Sequence, residues 1–390
     1  MALQGSFDGR VRQAIQEIEA GRMVILVDDE DRENEGDLVL AADRVNPESV
    51  NFMATHARGL ICLTLTEDQV RRLGLAMMVD ENRSSRSTAF TVSIEAREGV
   101  TTGISAFDRA HTIRVASSPS ATPDDIVAPG HVFPLRGKPG GVLQRTGHTE
   151  GSIDLVRLAS LAPAAVICEI MNDDGSMARL PDLERFAERH KLHILTIEDL
   201  IHFRLQHERL VKRIATYAFR PAGFAATWNA HVYEAIESKQ YVALTLGQPD
   251  ADRPTLVRMH RGSLFADLFA PEGGPLPGGI SGGVHLNESM RRIEADGSGV
   301  VVYIPPVRAD VAAEIRLLQE RGTRPVAAGR TGDGRPPHRD FGLGAQVLLD
   351  CGLRRIRMLT SNPRKFVGLA GYGLEVVEHI TIGASSAGRA

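Results

Sequence analysis

The sequence is poor in cysteine and in aromatic residues, and it has no long apolar run. Its 390 residues include three cysteines, and aromatic residues make up 5% of the chain. Three cysteines exclude a disulfide framework and a four-cysteine zinc site. The sequence contains no apolar stretch of about 18 residues and no apolar signal segment near its start, so we expect neither a membrane span nor a secretory signal. These absences predict a cytoplasmic protein.

The chain also lacks a large excess of charge of either sign. It has 45 lysines and arginines against 49 acids, which gives a net charge of −4. Such a chain has no global basic field, so neither nucleic acid nor a membrane surface is an expected partner. A hydrophobic fraction of 43% is typical of globular domains, and the length allows two of them. Cys62 and Cys168 lie in apolar runs, where core packing is the expected role.

The most informative feature that is present is a dense acidic run. Residues 28–37, DDEDRENEGD, contain seven acids and one arginine, Arg32. They follow the apolar run 23–27, which predicts a buried strand. Carboxylates this close repel one another, and a hard divalent cation prefers oxygen ligands. The run alone leaves two interpretations open, a metal site and a solvated acidic loop.

Three further polar features occur in the first half of the chain. Residues 145–150, RTGHTE, place an arginine and a histidine at a predicted helix start, a combination that can bind phosphate. His131 follows Pro-Gly in a segment predicted to be irregular, and a lone histidine is more often structural than functional. Glu169 lies in the apolar strand AVICEI, where a carboxylate is seldom buried unless it is paired or functional.

The pattern of apolar and polar segments predicts an α/β (α+β) protein of two domains, residues 1–207 and 208–390, each a mixed sheet covered by helices. Predicted strands are 23–27, 60–66, 90–95, 164–170, 192–197, 241–246, 299–304 and 355–359. A first helix ends at Gly21, further helices begin at Pro47, Ser105, Thr149 and Glu198, and another spans 308–320. Segments 129–131 and 137–147 are predicted loops, and the polar loop 80–88 is a candidate lid.

From about residue 8 to 205 the chain resembles the 3,4-dihydroxy-2-butanone 4-phosphate synthases of riboflavin biosynthesis. Besides the acidic run, the matching blocks are FTVSIEAREGVTTGISAFDRA (90–110), PGHVFPLR (129–136), GGVLQRTGHTE (140–150) and CEIMNDDGSMARLPDLERFAERH (168–190). The resemblance implies a lyase that needs Mg²⁺ or Mn²⁺ and no redox cofactor. Its substrate would be D-ribulose 5-phosphate and its products L-3,4-dihydroxy-2-butanone 4-phosphate and formate. A homodimer with active sites near the subunit interface is also implied.

The same resemblance implies roles for individual residues. Glu33 and His148 match the metal ligands of the family. The positions matching catalytic residues are His131, Glu169 and Glu33. The positions matching substrate contacts are Arg32, Glu33, Asp37, Arg145, Thr146, Gly147, His148, Thr149 and Glu169.

The chemistry of this reaction requires such residue types. Removal of a proton from carbon 3 of a ketose gives an enediol, and a divalent metal can stabilise its negative charge. The later dehydration, skeletal shift and loss of formate need several proton donors and acceptors. The phosphate serves as a handle that orients the reacting carbons. A lid at 80–88 would exclude water.

Residues 214–383 resemble GTP cyclohydrolase II, most clearly over 338–380 and 256–260. Members of that family hold zinc with three cysteines in a C-x10-C-x-C pattern. The corresponding positions here are Ser263, Gly274 and Leu276, and none of these supplies a thiolate ligand. The E-G-R-G nucleotide loop of the family is also replaced, by IPPVRAD.

Other positions of the cyclohydrolase pattern are partly kept. The aspartate of a catalytic Asp-x-Arg pair is Pro337 here, while Arg339, Thr360 and Lys365 match surviving positions. We therefore expect no zinc and no GTP hydrolysis in the second half. Structural support and a regulatory or partner-binding role both stay open for it. The alternatives for the whole chain are a bifunctional enzyme that also has GTP cyclohydrolase II activity, and a binding protein in which neither site works.

Overall fold

The computed structural model describes residues 6–30, 32–84, 86, 88–248, 253–269, 282–305, 337–360 and 374–382. The chain divides into two compact units, Met1–Arg204 and Leu205–Ala390. Each unit contains a seven-stranded mixed sheet with helices, which confirms the predicted fold class. The domain boundary expected between residues 207 and 208 stays a prediction.

The sheet of the first unit mixes parallel and antiparallel neighbours in the order β4-β5-β3-β6-β2-β1-β7. Its strands are β1 (Val24–Val27), β2 (Gly36–Ala41), β3 (Cys62–Leu65), β4 (Ile94–Ala96), β5 (Ile126–Arg136), β6 (Ala164–Glu169) and β7 (His193–Thr196). The pairs β1–β7 and β3–β5 are parallel. The pairs β1–β2, β2–β6, β3–β6 and β4–β5 are antiparallel.

Helices accompany this sheet, and their starts follow the capping signals of the sequence. They are α1 (Phe7–Glu19), α2 (Pro47–Phe52), α3 (Glu67–Arg72), α4 (Ala106–Ser117), α5 (His148–Leu158), α6 (Leu180–His190) and α7 (Ile197–His207). At the start of α2 the side chain of Asn46 accepts from the backbone N–H of Ser49 at 2.8 Å, as an N-cap residue should. A π-helical turn, Met53–Ala57, continues α2.

The central strands of the first sheet are buried on both faces. Leu38 of β2 and Cys168 of β6 belong to a single buried apolar cluster. Side chains of a strand alternate between faces, so the adjacent residues Asp37 and Glu169 point to the opposite face. Val39 and Ile167 share that face and are buried, so the two carboxylates lie at the edge of a packed region, at the start of β2 and the end of β6.

Two predicted segments differ from the observed structure. Residues 129–131 were predicted to form a loop, and this was wrong because they lie within β5. A Cβ at Gly130 would lie 2.1 Å from the Ile94 carbonyl, so the glycine permits close approach to β4 rather than a turn. Strand β4 is also shorter than predicted, because Phe90 and Thr91 form only isolated bridges.

The sheet of the second unit has the order β14-β13-β11-β12-β10-β9-β8. Its strands are β8 (Lys212–Phe219), β9 (Trp228–Glu234), β10 (Gln240–Leu246), β11 (Thr255–Arg261), β12 (Gly299–Ile304), β13 (Arg355–Thr360) and β14 (Glu375–Thr381). The helices α8 (Leu264–Phe269), α9 (Gly283–Asp296) and α10 (Pro337–Asp350) belong to the same unit. The helix predicted for 308–320 lies outside the described residues. Among the helices that are described, none has the length and apolar character needed to cross a bilayer.

Candidate active site

The acidic loop joins two antiparallel neighbours, β1 and β2, and a buried aspartate organises it. Asp28 follows β1 directly, and its Oδ1 accepts from the backbone N–H of Glu35 at 2.8 Å. Its Oδ2 accepts from Arg32 at 2.7 Å and from the backbone N–H of Glu33 at 3.2 Å. Both oxygens of Asp28 thus hold the loop in shape. Arg32 also donates to Glu33 Oε2 at 2.6 Å, which places Glu33 beside it.

A cluster of metal-ligating groups forms where this loop meets the start of α5. Asp28, Glu33 and His148 each offer one ligand atom, and these atoms lie within 4.8 Å of one another. His148 Nδ1 is 3.8 Å from Glu33 Oε2 and 3.8 Å from Asp37 Oδ1. Within the described residues, Asp37 Oδ1 and His148 Nε2 are buried without a hydrogen-bond partner. Carboxylate oxygens with one imidazole, partly unpartnered and buried, fit a divalent cation.

The electrostatics of the cluster also favour a cation. Burial raises the pKa of Asp37 well above its ordinary value, and the charges of Glu169 and Glu33 raise it further. Burial lowers the pKa of His148, so the ring is held in the neutral form that can bind a metal. A bound cation would relieve the repulsion among these carboxylates.

Two arginines lie against the first turn of α5. Gly147 is the N-cap residue of this helix and gives no side-chain cap. A Cβ at Gly147 would lie 2.5 Å from Arg145 Nη1 and 3.0 Å from Arg32 Nη2. Both guanidinium groups therefore need the space that the glycine leaves. Helix N–H groups together with two arginines form a site suited to a phosphate.

The remaining residues of this loop are close in sequence, but their roles are untested. Thr146 is half-buried and Thr149 is buried beside Gly147. Their predicted substrate contacts stay predictions. Arg145 Nη1 donates to Glu150 Oε2 at 2.7 Å, and Glu150 is buried. This ion pair fixes the direction of the Arg145 side chain, a contact that the sequence analysis missed.

The polar segment 80–88 reaches the site through Arg86 and Thr88. Arg86 donates to the carbonyl of Arg32, and its Nε is 3.8 Å from Glu33 Oε1. Arg145 Nη2 donates to the Arg86 carbonyl and to Thr88 Oγ1, each at 3.3 Å. The segment therefore contacts both the acidic loop and Arg145, which precedes α5. The predicted motion of this lid is untested, and Arg86 is a site residue that the sequence analysis did not single out.

Glu169 lies at the end of β6, next to Asp37. It is paired with Asp37 across β2 and β6, and its Oε2 accepts from the backbone N–H of Leu60 at 2.8 Å. The structure thus brings together Arg32, Glu33, Asp37, Arg145, Gly147, His148 and Glu169, which include both predicted metal ligands.

His131 lies elsewhere in the unit. Its Nδ1 is 3.2 Å from Glu95 Oε1, and its side chain is 43% exposed. A Cβ at Gly103, which has φ +85°, would lie 2.5 Å from His131 Nδ1, so this pair packs on a glycine. Strand β3 lies between β5, which carries His131, and β6, which carries Glu169. His131 and Glu169, two of the predicted catalytic residues, are therefore on strands separated by β3.

In the second unit, Ser263 occupies the first position expected for a zinc ligand, and hydrogen bonds hold it in place. Ser263 is buried, its Oγ accepts from the backbone N–H of Ala266 at 3.2 Å, and its own N–H donates to Asp267 Oδ2 at 3.1 Å. Asp267 also accepts from Tyr303 at 2.8 Å and pairs with His260 Nε2 at 2.9 Å. A serine hydroxyl held in this way does not fit the thiolate site that zinc requires.

Of the other positions that match the cyclohydrolase pattern, the structure describes the side chain of Thr360. Thr360 is buried at the end of β13. Gly274, Leu276 and Lys365 lie outside the described residues, as do the side chains of Pro337 and Arg339.

The fold and the first site define an α/β protein with a cluster of groups that could hold a metal ion, beside a helix start flanked by two arginines. The chain matches the family described as 3,4-dihydroxy-2-butanone 4-phosphate synthase over residues 12–203 and the GTP cyclohydrolase II family over residues 214–381.

Relatives match along nearly the whole chain. Riboflavin biosynthesis protein RibBA of Aquifex aeolicus is 48% identical, over 95% of this chain and 92% of that protein. A 3,4-dihydroxy-2-butanone 4-phosphate synthase of Pseudomonas aeruginosa is 46% identical, over 95% and 98% respectively. A solved structure of RibBX, a two-domain synthase from A. baumannii, is 40% identical with a TM-score of 0.77, over 96% and 99%. The chain belongs to this family, in which a 3,4-dihydroxy-2-butanone 4-phosphate synthase domain is joined to a GTP cyclohydrolase II domain.

Proposed function

We propose that the first unit is a metal-dependent lyase that converts D-ribulose 5-phosphate to L-3,4-dihydroxy-2-butanone 4-phosphate and formate. The observation that carries this proposal is the cluster of Asp28, Glu33 and His148, with ligand atoms within 4.8 Å of one another. Arginines at the start of α5 lie beside it, so metal-ligating and phosphate-binding groups occur in one place. Membership of the synthase family supports the same reaction.

Glu33 and His148 are the proposed ligands of Mg²⁺ or Mn²⁺. When bound, the metal supplies stabilisation of negative charge on the carbonyl and hydroxyl oxygens of the sugar. Asp28 lies in the same cluster, but both of its oxygens already accept hydrogen bonds from the acidic loop. We therefore assign Asp28 to positioning Glu33 rather than to binding the metal.

The remaining groups bind the sugar phosphate and move protons. Arg145, Gly147 and the backbone N–H groups of the first turn of α5 are proposed to hold the phosphate. Arg32 and Asp37 are proposed to contact the sugar. Glu169 is proposed to transfer protons, with Asp37 opposite to it as a carboxyl group whose raised pKa lets it keep a proton.

His131 is proposed as a second proton-transfer group in a homodimer. Within one chain His131 pairs with Glu95, on strands β5 and β4 rather than beside the acidic loop. In a homodimer with active sites near the subunit interface, the His131–Glu95 pair can serve the site of a second copy. We further propose that the dimer acts in the cytoplasm and binds neither nucleic acid nor membrane.

The activity of the second unit has two competing assignments. The match to GTP cyclohydrolase II over residues 214–381 and the RibBA relatives favour the alternative of a bifunctional enzyme. The expected absence of GTP turnover is not confirmed. It rests on Ser263, Gly274 and Leu276, which replace thiolates, and on a relative described as a two-domain synthase.

A parallel assay separates these assignments. The full-length chain is incubated with D-ribulose 5-phosphate and, separately, with GTP, and zinc content is measured. Formate from ribulose 5-phosphate is expected in the presence of Mg²⁺, and its absence would overturn the lyase assignment. The replacement of the three thiolates by Ser263, Gly274 and Leu276 predicts no GTP turnover over a range of added zinc, because zinc held by those thiolates would activate the water. Turnover of GTP with stoichiometric zinc would establish the bifunctional alternative.

A further inference from the structure

The segment that leads into β3 lies beside the end of β6, where Glu169 is located. The π-helical turn Met53–Ala57 ends at Arg58, which has φ 68° in the left-handed region. The carbonyl of Ala57 accepts from the N–H of Met171 at 2.9 Å, and Arg58 forms an antiparallel bridge with Ile170. Residues 57–60 therefore lie alongside Glu169 and the two residues that follow it.

Gly59 meets Glu169 so closely that no side chain could be present. A Cβ at Gly59 would lie 2.4 Å from the Glu169 carbonyl oxygen, 2.6 Å from Glu169 Oε2 and 2.7 Å from Glu169 N. All three distances are well below the contact distances of carbon with oxygen or nitrogen. Because all three atoms belong to one residue, an added methyl group would displace Glu169 itself.

The close approach lets the backbone hold the Glu169 carboxylate. The N–H of Leu60 donates to Glu169 Oε2 at 2.8 Å. One oxygen is fixed in this way, while the residue stays opposite Asp37 across the sheet. Hydrogen bonds from backbone N–H groups to a carboxylate are charge-assisted and therefore strong.

The residues that follow Glu169 in the chain also form hydrogen bonds with segment 57–60. Arg58 Nη1 donates to the carbonyl of Met171 at 3.3 Å, and Nη2 donates to Asp173 Oδ1 at 2.7 Å. The segment 57–60 thus holds the residues that follow Glu169 as well as its carboxylate. A side chain added at Gly59 would therefore disturb the contacts of Glu169 and of the residues that follow it.

We propose that Gly59 is a positioning residue for the lyase reaction. Its missing side chain lets the Glu169 carboxylate lie on the backbone of residues 59–60 and accept the Leu60 N–H, which fixes the carboxylate for proton transfer. This inference rests on the proposed function, because it takes Glu169 to be a proton-transfer group.

A double-mutant cycle in the full-length chain tests the proposal. Gly59→Ala should lower kcat by about 10- to 100-fold, because a displacement of about 1 Å has this effect in active sites, while KM changes less than about twofold. In the Glu169→Gln background, Gly59→Ala should cause no further loss. Multiplicative losses in the double variant would overturn the positioning role, because Gly59 would then act independently of Glu169.

The same cycle distinguishes failure of the inference from failure of the proposed function. Near-normal activity of Glu169→Gln would overturn the role of Glu169 itself. Impaired Glu169→Gln with unimpaired Gly59→Ala would overturn only the inference. Gly175→Ala is the control, because a Cβ there meets nothing within 4 Å, so any backbone strain at its φ of +84° acts without a contact to Glu169. Its activity should stay within about twofold of the wild type.

Amide hydrogen exchange at Leu60 tests the contact without altering Gly59. The Leu60 residue is 42% exposed, so the hydrogen bond to Glu169 is the expected source of protection for its N–H. Exchange should be slow in the wild type and in Glu169→Gln, which keeps a carbonyl acceptor, and about tenfold or more faster in Glu169→Ala. Equal exchange in all three proteins would overturn the proposal.

Discussion

Asp37 of β2 lies directly opposite Glu169 of β6 in the antiparallel register of the first sheet. Two carboxylates in this relationship repel each other, and like charges directly opposite destabilise a sheet. Burial together with the charge of Glu169 raises the pKa of Asp37 well above its ordinary value. The site thus stores an unfavourable interaction that a proton or a cation relieves.

Asp37→Asn should therefore stabilise the metal-free protein while it impairs catalysis. Asparagine removes a carboxyl group that must either be buried as a charge or take up a proton on folding, so the first unit should be more stable by about 1 kcal/mol at neutral pH, or about 2–4 °C in Tm for a unit of this size. Turnover should fall by about two orders of magnitude or more, since the group is placed in the site. Calorimetry and steady-state kinetics measure the two effects. A lower Tm together with full activity would show that Asp37 is a structural residue.

Glu33→Gln should abolish tight metal binding and lower turnover by orders of magnitude, because it removes a charged ligand from the cluster. His148→Ala should have the same effect. Glu30→Gln is the matched control, since Glu30 is an exposed acid of the same loop and the charge change is identical. Mn²⁺ titration by calorimetry and formate assays measure the outcome. Equal losses in the Glu30 and Glu33 variants would show that the loop acts only through its total charge.

Local signals in the sequence predicted much of the first unit correctly. Asn46 before a proline indicated the start of α2, and the apolar run after Gly21 indicated β1. In both cases the signal lies within a few neighbouring residues, so the sequence alone can carry it. That the acidic run and residues 145–150 belong to one active site is implied by the family resemblance and stays a prediction; the structure places Glu33 and His148 close together.

Contacts between distant segments could not be predicted in this way. The Pro-Gly pair before His131 resembled a turn signal, but Gly130 is required for the close approach of β5 to β4. The contact of Gly59 with Glu169 depends on how the chain that leads into β3 lies beside β6. Arg86 is one arginine in a polar loop, and only the fold shows that it reaches Glu33. The contacts of Gly130, Gly59 and Arg86 all depend on the sheet register and on the packing of loops.

The hydrogen-bonded group around Asp267 should stabilise the second unit. Asp267 accepts from Ser263 N and Tyr303, and it pairs with His260, which is fully buried. Asp267→Ala leaves these donors without an acceptor, so we expect a loss of about 3 kcal/mol in the free energy of unfolding. Tyr303→Phe, which removes one hydrogen bond, should cost about 1 kcal/mol. Urea denaturation measures both, and wild-type stability of Asp267→Ala would contradict this account.

The central claim is that the cluster of half-buried Glu33 and buried His148 makes the first unit a metal-dependent lyase. The most direct test measures formate release from D-ribulose 5-phosphate by the full-length chain, first in excess chelator and then after Mg²⁺ or Mn²⁺ is restored. We predict no formate in the chelator and recovery of turnover with either metal, without any redox cofactor. Turnover at an unchanged rate in excess chelator, or no formate with the metal restored, would contradict the account.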